Sequence, residues 1–201
     1  MSMAENGKLT IAILALQGAF VEHREALEKL GVDTFEVRQP KDWQKDKDGL
    51  IVPGGESTTQ MRLLDDLGLT ESIRSDIAEG LPVWGTCAGM ILLAKYEDGK
   101  PRRGLSTMDI DVCRNAYGRQ LGSFHATGRM AGVADNLPMT FIRAPYVRKT
   151  TDGSVEILSE VDGRIVAARQ GNQLATAFHP ELTDDIRVHQ YFVDMIMSRN
   201  D

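Results

Sequence analysis

Two cysteines in 201 residues, Cys87 and Cys113, are too few to staple a scaffold. They also lack the paired spacing of a zinc site, so free thiols in a reducing compartment are expected. No apolar run approaches the roughly 20 residues of a membrane helix, and the opening MSMAENGKLT lacks the charged-then-apolar pattern of a secretory leader. Positive charge is not in excess. The 23 Lys and Arg against 29 Asp and Glu leave a net charge of −6, which argues against a broad grip on nucleic acid or an anionic membrane. Internal repeats and low-complexity segments are missing as well. These absences leave a cytoplasmic protein that works on small polar ligands or with protein partners.

What is present is ordinary globular material: 42% apolar and 26% charged residues, enough for one good-sized core and a single domain over 1–201, with 1–7 as a flexible tail. KLTIAILAL (8–16) is an almost wholly apolar run, the pattern of a strand covered on both faces of a parallel sheet. A helix follows, with Phe20, Ala26, Leu27 and Leu30 on one side, Glu22, Arg24, Glu25, Glu28 and Lys29 on the other, and Gly31 placed to end it. Residues 34–38 read as a second strand, PKDWQKDKD (40–48) as a solvated connector and 49–52 as a third strand ending at Pro53-Gly54-Gly55. Helical patterns run to about Glu79. A buried strand over 82–86 then leads through Cys87 into a helix that fades near YEDGKPRRG (96–104). This alternation predicts an α/β fold with a doubly wound, mostly parallel sheet flanked by helices. Short stretches near 108–113, 121–130, 139–142, 154–159, 164–169 and 173–178 read as antiparallel additions. Residues 184–198 close the chain as a helix, with Ile186, Val193 and Ile196 on one stripe and Thr183 or Asp184 as its cap.

In an open α/β sheet, functional groups collect at the carboxyl ends of strands. PGGEST (53–58), GTCAG (85–89) and FHPELT (178–183) fall at such ends. GTCAG has the G-x-Nuc-x-G form of a nucleophile elbow, a sharp strand-to-helix turn that lifts the nucleophile from the sheet. Cys87 is at its apex, above a helix N-terminus that favours a thiolate. An isolated cysteine in an apolar run is usually a small core residue; the glycine frame reverses that preference. A thiol needs a base, and His179 is the candidate among four histidines because Glu181 lies two residues on. In an extended segment the two would face the same way, letting the carboxylate orient the ring. The plain alternative is a His-Pro turn at a strand end. His23 and His189 fall on expected helices, where surface or core-edge roles suit them better, and His125 has no neighbouring orienter. PGGEST can present backbone N–H groups to an oxyanion or serve as a bare glycine turn; the Lys of a phosphate-binding loop is missing. Cys113 is most simply structural.

Taken together, these motifs resemble the class I, triad-type glutamine amidotransferases. ALQGAFVEH (15–23), PGGEST (53–58), GTCAGMILLAK (85–95), RNAYGRQ (114–120), FIRAP (141–145) and AFHPELT (177–183) narrow the resemblance to the glutaminase subunits of pyridoxal 5′-phosphate synthase, over nearly the whole chain. The resemblance implies a flavodoxin-like fold and hydrolysis of L-glutamine through a thioester on Cys87, with His179 and Glu181 completing the triad. It implies an oxyanion hole from Gly55 and Ala88, and a glutamine site lined by Gly55, Glu56, Ser57, Arg114, Ile142 and Arg143. It further implies a (β/α)8-barrel synthase subunit as the partner receiving ammonia, with no cofactor or metal in this chain. The two arginines make independent sense, because a guanidinium offers planar, paired donors to the α-carboxylate of glutamine, although Arg114 also reads as a solvated turn residue. His125 departs from the pattern, standing where an acidic residue is expected.

Two other readings remain at this point. One is a stand-alone cysteine hydrolase acting on γ-glutamyl amides. The other is a non-catalytic regulatory subunit that keeps the fold, which would have no need of Cys87, His179 and Glu181 together.

Overall fold

The computed structural model describes residues 8–114 and 122–199. The expected tail at 1–7 and positions 115–120 of RNAYGRQ lie outside the described residues. In chain order the elements are β1 (Thr10–Leu14), α1 (Phe20–Lys29), β2 (Asp33–Val37), α2 (Pro40–Trp43), β3 (Gly49–Val52), α3 (Ser57–Asp66), α4 (Thr70–Ala78), β4 (Val83–Thr86), α5 (Ala88–Leu93), β5 (Ala94–Glu97), β6 (Lys100–Pro101), β7 (Met108–Cys113), β8 (Ser123–Met130), β9 (Ala134–Ile142), β10 (Tyr146–Thr150), β11 (Glu156–Val161), β12 (Arg164–Gln170), β13 (Gln173–Thr176) and α6 (Arg187–Met197). A single 3₁₀ turn occupies Pro180–Leu182.

The main sheet runs β2-β1-β3-β4-β13-β12-β10-β7-β5-β6, with β11 paired to β12 at the side. Its first five strands are parallel, giving the mostly parallel sheet that the strand–helix alternation predicts. Strands β1, β3 and β4 have nearly every side chain sealed from water, as expected where helices cover both faces. Burying each large aliphatic side chain there contributes about 1.5–3 kcal/mol. The two faces can be told apart at neighbouring residues. Trp84 packs against His189 and Phe192 of α6 and His23 of α1. Gly85, pointing the other way, lies against Gly89 and Leu93 of α5.

Several expectations need correction. The 173–178 stretch is not only an antiparallel addition: β13 pairs antiparallel with β12 but parallel with β4, Gln173 opposite Val83 and Thr176 opposite Thr86, so it joins the additions to the central sheet. A four-residue strand carries no mark of direction. The helix after Cys87 does not persist to 96; it stops at Leu93, where Ala94 turns extended (ψ 135°) and begins β5. The connector 40–48 contains α2, which buries Trp43. Strand β10 has no counterpart in the sequence reading. The last helix starts at Arg187 without a side-chain cap from Thr183 or Asp184.

Candidate active site

The carboxyl ends of β3, β4 and β13 are neighbours in the sheet, and the segments PGGEST, GTCAG and FHPELT leave from those three ends. At the end of β4 the backbone turns sharply. Cys87 has φ 49° and ψ −101°, a region costly for a residue with a side chain, and its N–H donates to Thr176 O at 2.8 Å. The turn closes only because Gly89 has no side chain: a Cβ there would lie 1.9 Å from Val52 O. The thiol is almost fully buried at the floor of a cleft of about 510 Å³.

His179 stands at the end of the β13 segment, its own N–H donating to Thr140 O of β9 at 2.8 Å. A side chain on Gly54 would meet the His179 ring at 2.3 Å, so the glycine loop seats the imidazole. His179 Nδ1 and Glu181 Oε1 are 2.6 Å apart. The contact was expected, but its geometric reason is different: Pro180–Leu182 is a 3₁₀ turn rather than an extended segment, and the turn curls the carboxylate back to the ring. Burial alone would push the His179 imidazole towards neutrality. Its hydrogen bonds to Cys87 and Glu181 and their charges outweigh that and raise it to about 10. Thiol, imidazole and carboxylate thus stand in series, an arrangement able to pass a proton from a nucleophile to a leaving group.

The residues expected to bind glutamine come together around the same cleft. Gly55, Glu56 and Ser57 line it from the β3 side, Cys87 and Ala88 from the elbow, Ile142 and Arg143 from the end of β9, and Arg114 from the end of β7. Arg114 is not a freely solvated turn residue: its Nε is 3.0 Å from Glu97 Oε1, and Nη2 donates to Ser57 Oγ and, at 3.3 Å, to Thr58 Oγ1. Arg143 is exposed with φ 43°, a conformation that side chains adopt only under constraint. Glu56 caps α3, accepting from Thr58 N at 3.1 Å and Thr59 N at 2.7 Å. Desolvation would raise its carboxyl, but these donors, with the Thr59 hydroxyl, hold it down at about 2.

Sequence reasoning missed four residues. Gln17 lines the cleft, and its Oε1 accepts from Glu56 N at 2.7 Å. Gln60 donates to the Gln17 and Pro53 carbonyls at 2.9 and 3.0 Å. His23 and His189 are not surface or core-edge residues: both are completely buried, with His23 Nδ1 2.9 Å from His189 Nε2. Gln17 lies within ALQGAFVEH and three residues past the end of β1, so both the motif and another strand end could have flagged it. His125 does not line the cleft; its Nδ1 is 3.1 Å from Thr140 Oγ1. Among the described residues, no group of three or more His, Cys, Asp or Glu is placed to hold a metal ion, and no helix is long and apolar enough to cross a membrane.

Comparison with known proteins gives relatives over nearly the whole chain. Residues 13–198 match the model of the SNO glutamine amidotransferase family. A pyridoxal 5′-phosphate synthase subunit PdxT of Methanocorpusculum labreanum is 58% identical over 193 residues, covering 96% of this chain and all of that one. A protein of the same name from Streptococcus pneumoniae is 52% identical over 195 residues, again 96% of this chain and all of the relative. A crystal structure of a glutamine amidotransferase superposes with a TM-score of 0.87 at 43% identity, covering 93% of this chain and 98% of the other.

Proposed function

Because this chain belongs to the SNO glutamine amidotransferase family, we propose that it hydrolyses L-glutamine to L-glutamate and ammonia and supplies the ammonia to a pyridoxal 5′-phosphate synthase subunit. The relatives that share more than half its residues over their whole length carry that synthase name. The acceptor is a (β/α)8-barrel subunit in the cytoplasm, and neither nucleic acid nor membrane takes part. One domain spanning the chain does the work.

Cys87 is the nucleophile. Its sulfur attacks the side-chain amide carbon of glutamine, and the C–N bond of the tetrahedral intermediate breaks as His179 delivers a proton to the departing nitrogen. A water then attacks the γ-glutamyl thioester, giving glutamate and restoring the thiol. Glu181 holds His179 in the tautomer and orientation the step needs. The Gly55 and Ala88 amides bind the negative oxygen of the tetrahedral intermediate, a contribution of about 3 kcal/mol per donor in comparable sites. Arg114 and Arg143 bind the α-carboxylate, and Glu56, Ser57 and Ile142 shape the rest of the glutamine site.

The observation that carries the reading is the 2.6 Å His179–Glu181 contact at a cleft floored by Cys87. Mixing the chain with the synthase subunit and following glutamate and pyridoxal 5′-phosphate together tests it. Glutamine hydrolysis rises with the partner present, and Cys87→Ala abolishes it without unfolding the chain. Full glutaminase activity in Cys87→Ala would refute the mechanism. Steady partner-independent hydrolysis of γ-glutamyl peptides would replace it with the stand-alone hydrolase.

A further inference from the structure

Glu181 has two oxygens and His179 uses one. The other, Oε2, is buried and has no hydrogen-bond partner among the described residues. It faces His23 Nε2 at 3.5 Å, with both side chains fully excluded from water. A buried carboxylate oxygen without a donor is expensive, and a bare ring nitrogen pointed at it would add repulsion between lone pairs. A proton on His23 Nε2 turns that contact into an attraction, and the same proton is shared with Thr86 Oγ1 at 3.2 Å.

That choice propagates. With Nε2 protonated and the ring neutral, His23 Nδ1 carries a lone pair and accepts from His189 Nε2 at 2.9 Å. His189 Nδ1 is then also bare, and it is the ring nitrogen of this pair that has no partner among the described residues. The opposite assignment would leave a buried N–H of His189 unpaired and a lone pair against Glu181. Burial first, and the neighbouring histidines second, keep His23 far below its ordinary titration range. Burial, with Lys29, holds His189 at about 3. Trp84 walls the pair, its ring centroid 5.3 Å from His23 and 4.9 Å from His189.

We infer that His23 is a positioning residue for the glutaminase reaction: its Nε2–H holds the second oxygen of Glu181, and His189 fixes the tautomer that allows it. The inference rests on the reading of Glu181 as the group that orients His179. Thr86 extends the same network, because its hydroxyl also accepts from Gly54 N at 2.9 Å; one buried cluster therefore braces both the carboxylate and the glycine loop.

Ring ¹⁵N shifts of the unaltered full-length chain at neutral pH should show His23 and His189 neutral and protonated at Nε2. A His23 found as the Nδ1–H tautomer or as imidazolium overturns the inference, and this measurement stands even if substitutions fail to fold. In the assembled synthase, His23→Phe is expected to lower kcat about ten- to hundredfold, the scale of leaving a buried carboxylate oxygen with no donor facing it, with little change in KM for glutamine. His23→Gln, whose amide can still donate from the position of Nε2, recovers most of that loss. A folded His23→Phe with unaltered kcat, or a His23→Gln no better than His23→Phe, overturns it. Cys87→Ala separates the two levels: activity without Cys87 sinks the triad reading itself, whereas an inactive Cys87→Ala beside a fully active His23→Phe sinks only the role of His23.

Discussion

Gly89 and Val52 touch backbone to backbone: a Cβ on Gly89 would stand 1.9 Å from the Val52 carbonyl oxygen. The contact joins the first turn of α5 to the last residue of β3, so the elbow and the PGGEST loop cannot move apart independently. Gly89→Ala must displace backbone rather than a flexible side chain, and a cost of about 3 kcal/mol or more is expected. Thermal unfolding measures it. Gly153→Ala, where nothing among the described residues lies within 4 Å of the new methyl, is the control and should shift the melting temperature little.

Arg114 is held in place before any ligand arrives, by Glu97 on one side and by Ser57 and Thr58 on the other. A lysine could keep the charge but not the planar fork that makes these contacts together. Arg114→Lys is therefore expected to raise KM for glutamine about tenfold with a smaller change in kcat, the pattern of lost ground-state binding. Steady-state kinetics in the presence of the synthase subunit distinguish the two parameters.

The buried histidines make the fold acid-sensitive. His189 is held at about 3, against an ordinary 6.5, chiefly by burial. The unfolded chain takes up a proton below about 6.5 that the folded chain refuses until about 3. Stability is thus full above 6.5 and declines as pH falls through that window. Denaturant titrations between pH 7 and pH 5 should show a falling free energy of unfolding. His189→Gln, which can still donate to His23, should flatten the slope.

Glu56 acts in a lower window. Despite desolvation, the donors from Thr58 and Thr59 hold its carboxyl at about 2 instead of 4.5. Its contribution is fully present above 4.5 and is lost as pH falls towards 2. Glu56→Gln should weaken the start of α3 by about 1 kcal/mol at neutral pH, as expected for a disturbed cap, and should lose less on acidification below pH 4.5. Circular dichroism melts at pH 7 and pH 3.5 give both comparisons.

Much of this was legible in the sequence because the signals were local. Gly49–Val52 is four apolar residues running into Pro-Gly-Gly, and the bounds of β3 follow from that. The glycines around Cys87 mark an elbow because only glycine fits the close approach they make. Where the deciding information came from far along the chain, the sequence was silent or misleading. Nothing within Gln173–Thr176 tells whether it pairs parallel with β4. MILLAK keeps a helical texture past Leu93, yet Ala94 opposite Met108 starts a strand. His23 sits among Glu22, Arg24 and Glu25 and reads as a surface residue; its burial requires His189, which arrives 166 positions later.

The adjacency of β3, β4 and β13 in the sheet gives the site a built-in ruler. Neighbouring strands lie about 4.8 Å apart whatever their side chains, so the spacing between glycine loop, nucleophile and base is inherited from backbone hydrogen bonding. The loops on either side can diverge to suit another acceptor enzyme without renegotiating the distances on which the chemistry depends. Selection for a new partner and selection for hydrolysis can therefore act on different parts of the same chain.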